Sequence, residues 1–385
     1  MYKFKFFISF LLFFFLLTAC TPSPDNNTGS SHSMRENSQT IKETNEIDPK
    51  VTVAAIGDIL IHDRVYDDAW DGEKYDFKPM LAEVADYLKE PEITVANQET
   101  IMGGESIGLS GYPNFNSPFE IGDDLQDAGV DIVTMANNHT LDRGEEAIQN
   151  AIAYYKEISM PYTGSFQSKE DQSEIRVLET DQDISVAFLS YTYGTNGMPI
   201  PDGKPYLVNL IDREQIKEEV EKANELADVT IVSLHFGVEE ERTPNQDQAD
   251  LAQYAADLGV DVVIGNHPHV LQPVEWLEGK EGNKTLVAYS LGNFLSGQYQ
   301  FYNRIGGIFE FDLVKEEDEV RVKAPRFLPT FVEFEEDGDT MSNIQVVPLE
   351  KASEEQIEDL DEVMSEIKSH MTQWMPELEW IGLSG

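Results

Sequence analysis

A single cysteine, Cys20, stands in 385 residues. That scarcity argues against a cysteine-ligated structural zinc site. Positive charge is also in short supply: 27 lysines and arginines face 72 aspartates and glutamates, a formal charge of −45. So acidic a chain repels polyanions, which excludes nucleic acid and an anionic membrane surface as electrostatic partners. Anionic substrates would be slowed too, unless bound metal ions reverse the field locally. Histidine is rare, with seven residues. Apolar residues are not: 41% hydrophobic content supplies a real core, and the length allows one large domain or two ordinary ones.

The first twenty residues differ from the rest. Lys3 and Lys5 precede F-F-I-S-F-L-L-F-F-F-L-L, and Leu17-Thr18-Ala19-Cys20 follows. A positive start, an apolar stretch of about twelve residues and a small-residue end read as a secretory signal, too short for a membrane span of about twenty. L-T-A-C resembles the bacterial lipobox, in which the cysteine is lipidated and becomes the mature N-terminus. The expectation is a signal peptide over 1–20, lipidation at Cys20, and a protein anchored to the membrane on the extracellular face of the cell. A lone thiol suits export to an oxidising space. Residues 21–49 lack apolar periodicity and read as a flexible polar tether, with His32 solvated in it.

From Val51 short β-rich runs alternate with amphipathic stretches. Strands are expected at 51–56, 93–97, 131–136, 184–191, 229–235, 261–265, 285–291 and 306–314. Helices are expected at 77–88, 122–128, 145–156, 212–226 (with Asp212 as N-cap) and 248–258. This alternation predicts a layered α/β fold. The last strands lack intervening helices and would pair antiparallel. A main domain over 50–315 is followed by 316–385, read as further strands and an acidic helix at 354–367 packed on it. His370 in that region reads as a surface residue.

Chemistry-bearing residues stand just past five strand ends. These are Asp58 and His62; Asn97-Gln98-Glu99; Asn137-Asn138-His139; His235; and Gly265-Asn266-His267-Pro268-His269. Sites in open α/β sheets form outside the carboxyl ends of the strands, so parallel strands would bring all five to one edge. A lone strand-end histidine is ordinarily a hydrogen-bonded structural residue, but five of the seven histidines fall in these clusters. Asp, Glu, Asn and His without thiolate suit divalent Mn, Fe, Zn or Mg. The candidate ligands exceed what one ion needs, which points to two ions sharing a bridging carboxylate. His267 and His269, read as an extended H-x-H, would present both rings on one side, stiffened by Pro268.

G-D-I-L (57–60), A-N-Q-E-T (96–100), A-N-N-H-T-L-D-R-G (136–144), S-L-H-F-G (233–237), I-G-N-H-P-H-V-L-Q (264–272) and Y-S-L-G-N-F (289–294) together resemble the CapA family. That family is linked to bacterial poly-γ-glutamate capsule synthesis and belongs to the calcineurin-like metallophosphatase superfamily. The resemblance covers about residues 50–315, in order. It implies a layered β-sandwich flanked by helices and a dinuclear metal centre. Asp58 and His269 would bind the first ion, and Asn138, His235 and His267 the second. Glu99 would bridge where the wider superfamily usually has Asp. His139 would be the catalytic residue near the leaving group. The superfamily's Asp-x-His is absent: His62 follows Asp58 by four residues, which leaves its role as ligand open. Asn293 would line the same edge. The implied reaction is in-line hydrolysis at phosphorus. Three functions stay open: a capsule synthesis or export protein, with membrane subunits of a capsule synthase as partners; an extracellular metal-dependent phosphoesterase unrelated to capsule; and a non-catalytic partner of a membrane synthase complex.

Overall fold

V-T-V-A-A-I is apolar throughout because both faces of its strand are covered. Val51, Val53 and Ala55 point into one core, and Ala54 and Ile56 into another. The alternation follows the two-residue period of a strand. The computed structural model describes residues 49–382 apart from 318 and 339. The expected signal over 1–20, the lipidation residue Cys20, the tether up to residue 48 and His32 lie outside the described residues.

Two sheets make the frame. The first contains β1 (Lys50–Leu60), β2 (Ile93–Gln98), β3 (Ile132–Thr134) and β4 (Tyr162–Thr163), all parallel. The second contains β5 (Arg176–Glu179), β6 (Ser185–Thr192), β7 (Val229–His235), β8 (Val262–Asn266), β9 (Leu271–Glu278) and β10 (Lys284–Leu291). Its order is β5-β6-β7-β8-β10-β9, with β6, β7, β8 and β10 parallel. The chain then returns to the first sheet with β11 (Asn293–Ser296), β12 (Ile305–Glu316), β13 (Glu319–Asp337), β14 (Thr340–Pro348) and β15 (Glu379–Trp380). The first sheet runs β14-β13-β12-β1-β2-β3-β4, with β11 on β1 and β15 on β13. β12 pairs antiparallel with β1 and β13, and β13 with β14. Of the last strands expected to pair antiparallel, 285–291 (β10) does not do so with β8: it lies parallel to it, because β9 comes between them in the chain and takes the antiparallel place on β10.

The sheets face each other across one core. Val53, Val95 and Ile132 from the first meet Phe188, Ile231, Val262 and Leu286 from the second. Helices cover the outer faces. Glu120–Ala128 and Gly144–Glu157 lie on the first sheet through Leu125, Ile148 and Ile152. Arg213–Leu226 and Gln246–Asp257 lie on the second through Ile216, Val220 and Leu251. The result is the layered sandwich flanked by helices. Asp212 caps its helix, accepting from the backbone N–H groups of Glu214 and Gln215 at 3.0 and 2.9 Å. No helix among the described residues is long and apolar enough to cross a membrane.

Several expectations change. The helix expected over 77–88 is two short ones, Lys78–Leu81 and Ala85–Lys89. Turn-type bonds from Met80 N–H to Phe77, Val84 N–H to Leu81 and Tyr87 N–H to Val84 interrupt it. These tighter turns keep Phe77, Met80, Leu81, Val84 and Leu88 in the core. The acidic helix is Leu360–Met371, starting where the Asp359 side chain accepts from Glu362 N–H. β9 was masked in sequence by Pro273; it is an edge strand, where a proline is tolerated. His370 is half-buried rather than a surface residue, with Nε2 2.9 Å from the Leu271 carbonyl oxygen of β9. Strand β12 runs straight through the 315/316 boundary and pairs with β13.

β10 leaves the second sheet and β11 joins the first with one residue between them, Gly292, at φ 67°. The backbones crowd there. A Cβ on Gly57 would lie 1.9 Å from the Gly292 carbonyl oxygen, and one on Gly306 2.0 Å from that of Asn293. Asp58 N–H donates to the Gly292 oxygen at 2.9 Å, which closes the junction. Gly57→Ala is expected to lower unfolding stability by at least about 2 kcal/mol in urea titration, because backbone must move to admit the methyl. A change within about 0.5 kcal/mol would mean the junction yields more easily than its packing indicates.

Candidate metal centre

The strand ends do converge, but from two sheets rather than one. β1 carries a register break on each side of Asp58, which turns that carboxylate inward. Asp58 is fully buried, and its Oδ1 accepts from Asn97 Nδ2 at 2.7 Å. Its Oδ2 lies 3.1 Å from His269 Nδ1 and accepts the His267 backbone N–H at 3.4 Å. Asn293, opposite Asp58 in the β1–β11 pairing, directs Oδ1 to His269 Nδ1 at 3.0 Å. Its amide nitrogen donates to Gln298 and Asn303, which holds the oxygen toward the histidine.

Glu99 follows β2 and is fully buried. Its Oε1 lies 3.4 Å from His235 Nε2 and its Oε2 3.7 Å from His269 Nδ1. The next strand end supplies Asn138, whose Oδ1 is 2.9 Å from His235 Nε2. Asn137 is the clamp beneath it: Nδ2 donates to the Gln98 carbonyl oxygen and Oδ1 accepts from His139 N–H. His139 points Nδ1 at Asp142 Oδ2, 2.7 Å away. That contact places the ring proton on Nδ1 and leaves Nε2 free to accept or, when charged, to donate.

Ligand-reach geometry forms two groups, Glu99 with His267 and His269, and Asp58 with Glu99 and His235, all ligand atoms within 4.8 Å of one another. The shortest polar contacts divide differently, setting Asp58 beside His269 and Asn138 beside His235. Contacts near 3 Å fix which atoms face each other, so they are the better guide to any division. Glu99 belongs to both halves either way. His62 is in neither group. Its Nδ1 lies 3.0 Å from the Leu60 oxygen and 3.2 Å from the Gly297 nitrogen, and its ring packs edge-on against Phe115. Burial pushes it down to about 4, so it is held as a neutral structural ring.

The segment carrying His267 and His269 is not extended. Both residues adopt positive φ, 101° and 60°. Non-glycine residues held there cost on the order of 1–3 kcal/mol each. The chain therefore turns sharply around Pro268, whose carbonyl oxygen accepts from Glu240 N–H, and aims two rings 5.9 Å apart into the cluster. Asp142, Tyr193 and Asn196 also shape the site and escaped the sequence reading as participants, while Asn97, named among the strand-end residues, had no role assigned and proves to donate to Asp58. Asn97 and Asp142 lie within the quoted motifs. Tyr193 and Asn196 follow β6, a sixth strand end whose hydroxyl and amide carry no histidine signal. The Tyr193 ring lies 4.6 Å from that of His267.

Charge is finely poised here. Burial and the charge of Asp58 push Glu99 up to about 8. Burial pulls His269 down, but Glu99 and Asp58 outweigh it and push the ring up to about 10. Burial would raise Asp58, yet His269, His235 and Asn97 bring it below the usual range. Burial holds His235 down to about 3 and His267 down to about 2, so both are neutral. Both Glu99 oxygens and His267 Nδ1 are buried without a hydrogen-bond partner among the described residues. Each such atom costs about 1–3 kcal/mol. Neutral imidazole nitrogens and unpaired carboxylate oxygens around one space fit a divalent ion.

Fold and site thus define a two-sheet α/β protein with a buried, thiolate-free cluster of possible metal ligands. Residues 52–298 match the family described as bacterial capsule synthesis protein PGA_cap, and the chain belongs to that family. It is 28% identical over 192 residues to the PGA biosynthesis protein CapA of Bacillus subtilis (strain 168), covering 50% of this chain and 49% of that one. It is 26% identical over 263 residues to the capsule biosynthesis protein CapA of Bacillus anthracis, covering 65% and 60%. The chain therefore spans between half and three-fifths of the length of these curated relatives. Two solved structures overlap it at 14% identity. A putative 5′-nucleotidase from Staphylococcus aureus, in complex with alpha-ketoglutarate, has a TM-score of 0.43, covering 82% of this chain and 58% of that one. The calcineurin-like phosphoesterase YfkN from Bacillus subtilis has a TM-score of 0.42, covering 83% and 99%.

A divalent ion needs Glu99 ionised and His269 neutral, whereas the metal-free pair retains a proton at neutral pH. Metal binding is therefore expected to release between about one and two protons per chain at pH 7 and to tighten at least about tenfold per pH unit between about 6 and 8. Calorimetric titration with Mn²⁺ in two buffers of different ionisation enthalpy measures this. Buffer-independent heats would show that the pair is already deprotonated.

Proposed function

We propose that this protein is a lipid-anchored extracellular member of the family, acting in poly-γ-glutamate capsule synthesis or export beside membrane subunits of a capsule synthase. Its centre holds two divalent ions (Mn, Fe, Zn or Mg) and serves phosphoester chemistry. One observation carries the metal reading: the Glu99 carboxylate lies fully buried between His235 and His269 with neither oxygen hydrogen-bonded. A bridging carboxylate needs both oxygens free, and burial makes any other purpose expensive. The family match and the CapA relatives support the capsule reading.

Bound ions would supply Lewis-acid polarisation of a phosphoryl oxygen. Asp58, His269 and Asn293 would hold one ion, Asn138, His235 and His267 the other, and Glu99 both. His139 is the proton-handling residue at the rim. Asp142 fixes its Nδ1 proton, so Nε2 is the atom that can give a proton to a leaving oxygen. Phe115 packs edge-on against the ring at 4.7 Å and limits its rotation.

Elemental analysis of gently purified protein is expected to find about two divalent ions per chain, as a dinuclear site requires. Glu99→Gln, which keeps the shape and removes the charge, is expected to weaken Mn²⁺ binding about 100-fold or more and to abolish hydrolysis of phosphodiesters. Fewer than one ion in the wild-type protein sinks the dinuclear reading. Metal-loaded protein inert on every phosphoester, in cells whose capsule survives His267→Ala, sinks the catalytic one. For location, Cys20→Ala is expected to shift the protein from the membrane fraction to the medium; unchanged fractionation would refute lipid anchoring.

A further inference from the structure

Asn138 poses a problem that its own position does not solve. A carboxamide can turn either its oxygen or its NH₂ group toward His235 and Glu99, and only the oxygen can serve a cation. Burial of Asn138 does not choose between them. The choice falls to whatever meets the other end of the amide. Among the described residues Asn196 Oδ1 accepts from Asn138 Nδ2 at 3.3 Å; the Tyr193 hydroxyl also meets Asn138, but a hydroxyl can donate or accept and so does not choose.

Asn196 is placed for this by a local turn. Met198 N–H donates to the Thr195 carbonyl oxygen at 2.8 Å, with Asn196 at φ 49° and Gly197 at φ 76° between them. Two successive positive φ values make a type I′ turn, for which Asn-Gly is the favoured pair. The turn is tied to the site through Tyr193 N–H, which donates to the His235 carbonyl oxygen at 3.0 Å. Asn196 Nδ2 lies 3.5 Å from His139 Nδ1, whose proton already goes to Asp142.

The two amides are therefore coupled. In the observed register Asn138 shows oxygen to His235 Nε2, and Asn196 accepts. In the opposite register Asn196 would donate to Asn138 Oδ1, and Asn138 would show nitrogen to His235. We infer that Asn196 is a positioning residue of the centre: its side-chain oxygen sets the Asn138 carboxamide with oxygen inward, ready for a divalent ion. This rests on the reading that Asn138 and His235 hold an ion.

The turn itself could account for an asparagine here, so the test separates the two roles. Asn196→Gly tolerates positive φ but removes the side chain. Asn196→Asp keeps an acceptor and cannot donate, which forbids the opposite register. Mn²⁺ binding to the full-length protein, followed by calorimetry and by the electron paramagnetic resonance signal of free Mn²⁺, is the readout. N196G is expected to bind one ion as the wild type does and the other about 10–100-fold more weakly, with its melting temperature in chelator unchanged. N196D is expected to bind both at wild-type affinity or tighter. Two ions bound by N196G at wild-type affinity overturn the inference, and so does an N196D as weak as N196G. Wild-type protein that takes up no second Mn²⁺ removes the two-ion reading and this inference with it, an outcome visible before any variant is made.

Discussion

Two carboxylates, Asp58 and Glu99, are buried within reach of the same histidine nitrogen, and the surrounding structure is organised around that concentration of charge. Isolated ionised carboxylates inside a protein are untenable unless paired or metal-bound. Asp58 is compensated by Asn97, His269 and the backbone of His267. Glu99 is not, and in the metal-free chain it responds by holding a proton up to about 8. The asymmetry is informative. A carboxylate kept only for structure would have been given donors, as Asp124 was with the Phe77 N–H.

Holding such a cluster requires two sheets to meet at one corner without sliding. The β10–β11 crossover at Gly292 does this, since the chain passes from a strand of one sheet to a strand of the other across a single residue. Gly57, Gly292 and Gly306 let three backbones touch where a side chain would separate them. Gly265 does the same between β8 and β10, where a Cβ would meet the Tyr289 carbonyl oxygen at 1.9 Å. These contacts bring Asp58 and Asn293 from one sheet against His235 and His267 from the other. The strain at His267 and His269 is then bearable, because the strands on both sides of that turn are fixed in a sheet.

Much of this was legible in the residue order. Strand ends show in sequence because an apolar run stops abruptly at polar, chemistry-bearing residues, as at Asn137-Asn138-His139 and His235. The layered class followed from alternation; the missing helices were right for 306–314 but misled at 285–291, where the unforeseen β9 intervenes and β10 pairs parallel with β8. What stayed hidden depends on partners distant in sequence. The division into two sheets is decided by packing, because β1 and β7 look alike as apolar runs. β9 hid behind Pro273, which only an edge position excuses. The H-x-H segment looked extended because nothing in four residues reveals the pull of Glu240 on the Pro268 carbonyl group. Asn97 and Asn196 look like ordinary strand-end and turn residues; only their contacts with Asp58 and Asn138 show more.

The scarcity of positive charge closes the argument. A formal charge of −45 gives the protein a field that repels phosphate, and in the metal-free centre the charge of Asp58 is matched by that of His269, so nothing there draws an anion in. Even nearby tyrosines register it: burial and then Glu239 and Glu99 push Tyr193 up to about 12. Among the described residues the ion-pair partners of Asp58 and Glu99 are histidines, with no lysine or arginine among them. Divalent ions held at the proposed centre would reverse the sign there and leave the rest of the surface acidic. Attraction for an anionic group would then be confined to the two-sheet corner. A basic groove would attract every polyanion in the surroundings, whereas a metal corner selects for a group small enough to reach it. The acidic composition and the buried centre are thus complementary parts of one electrostatic design.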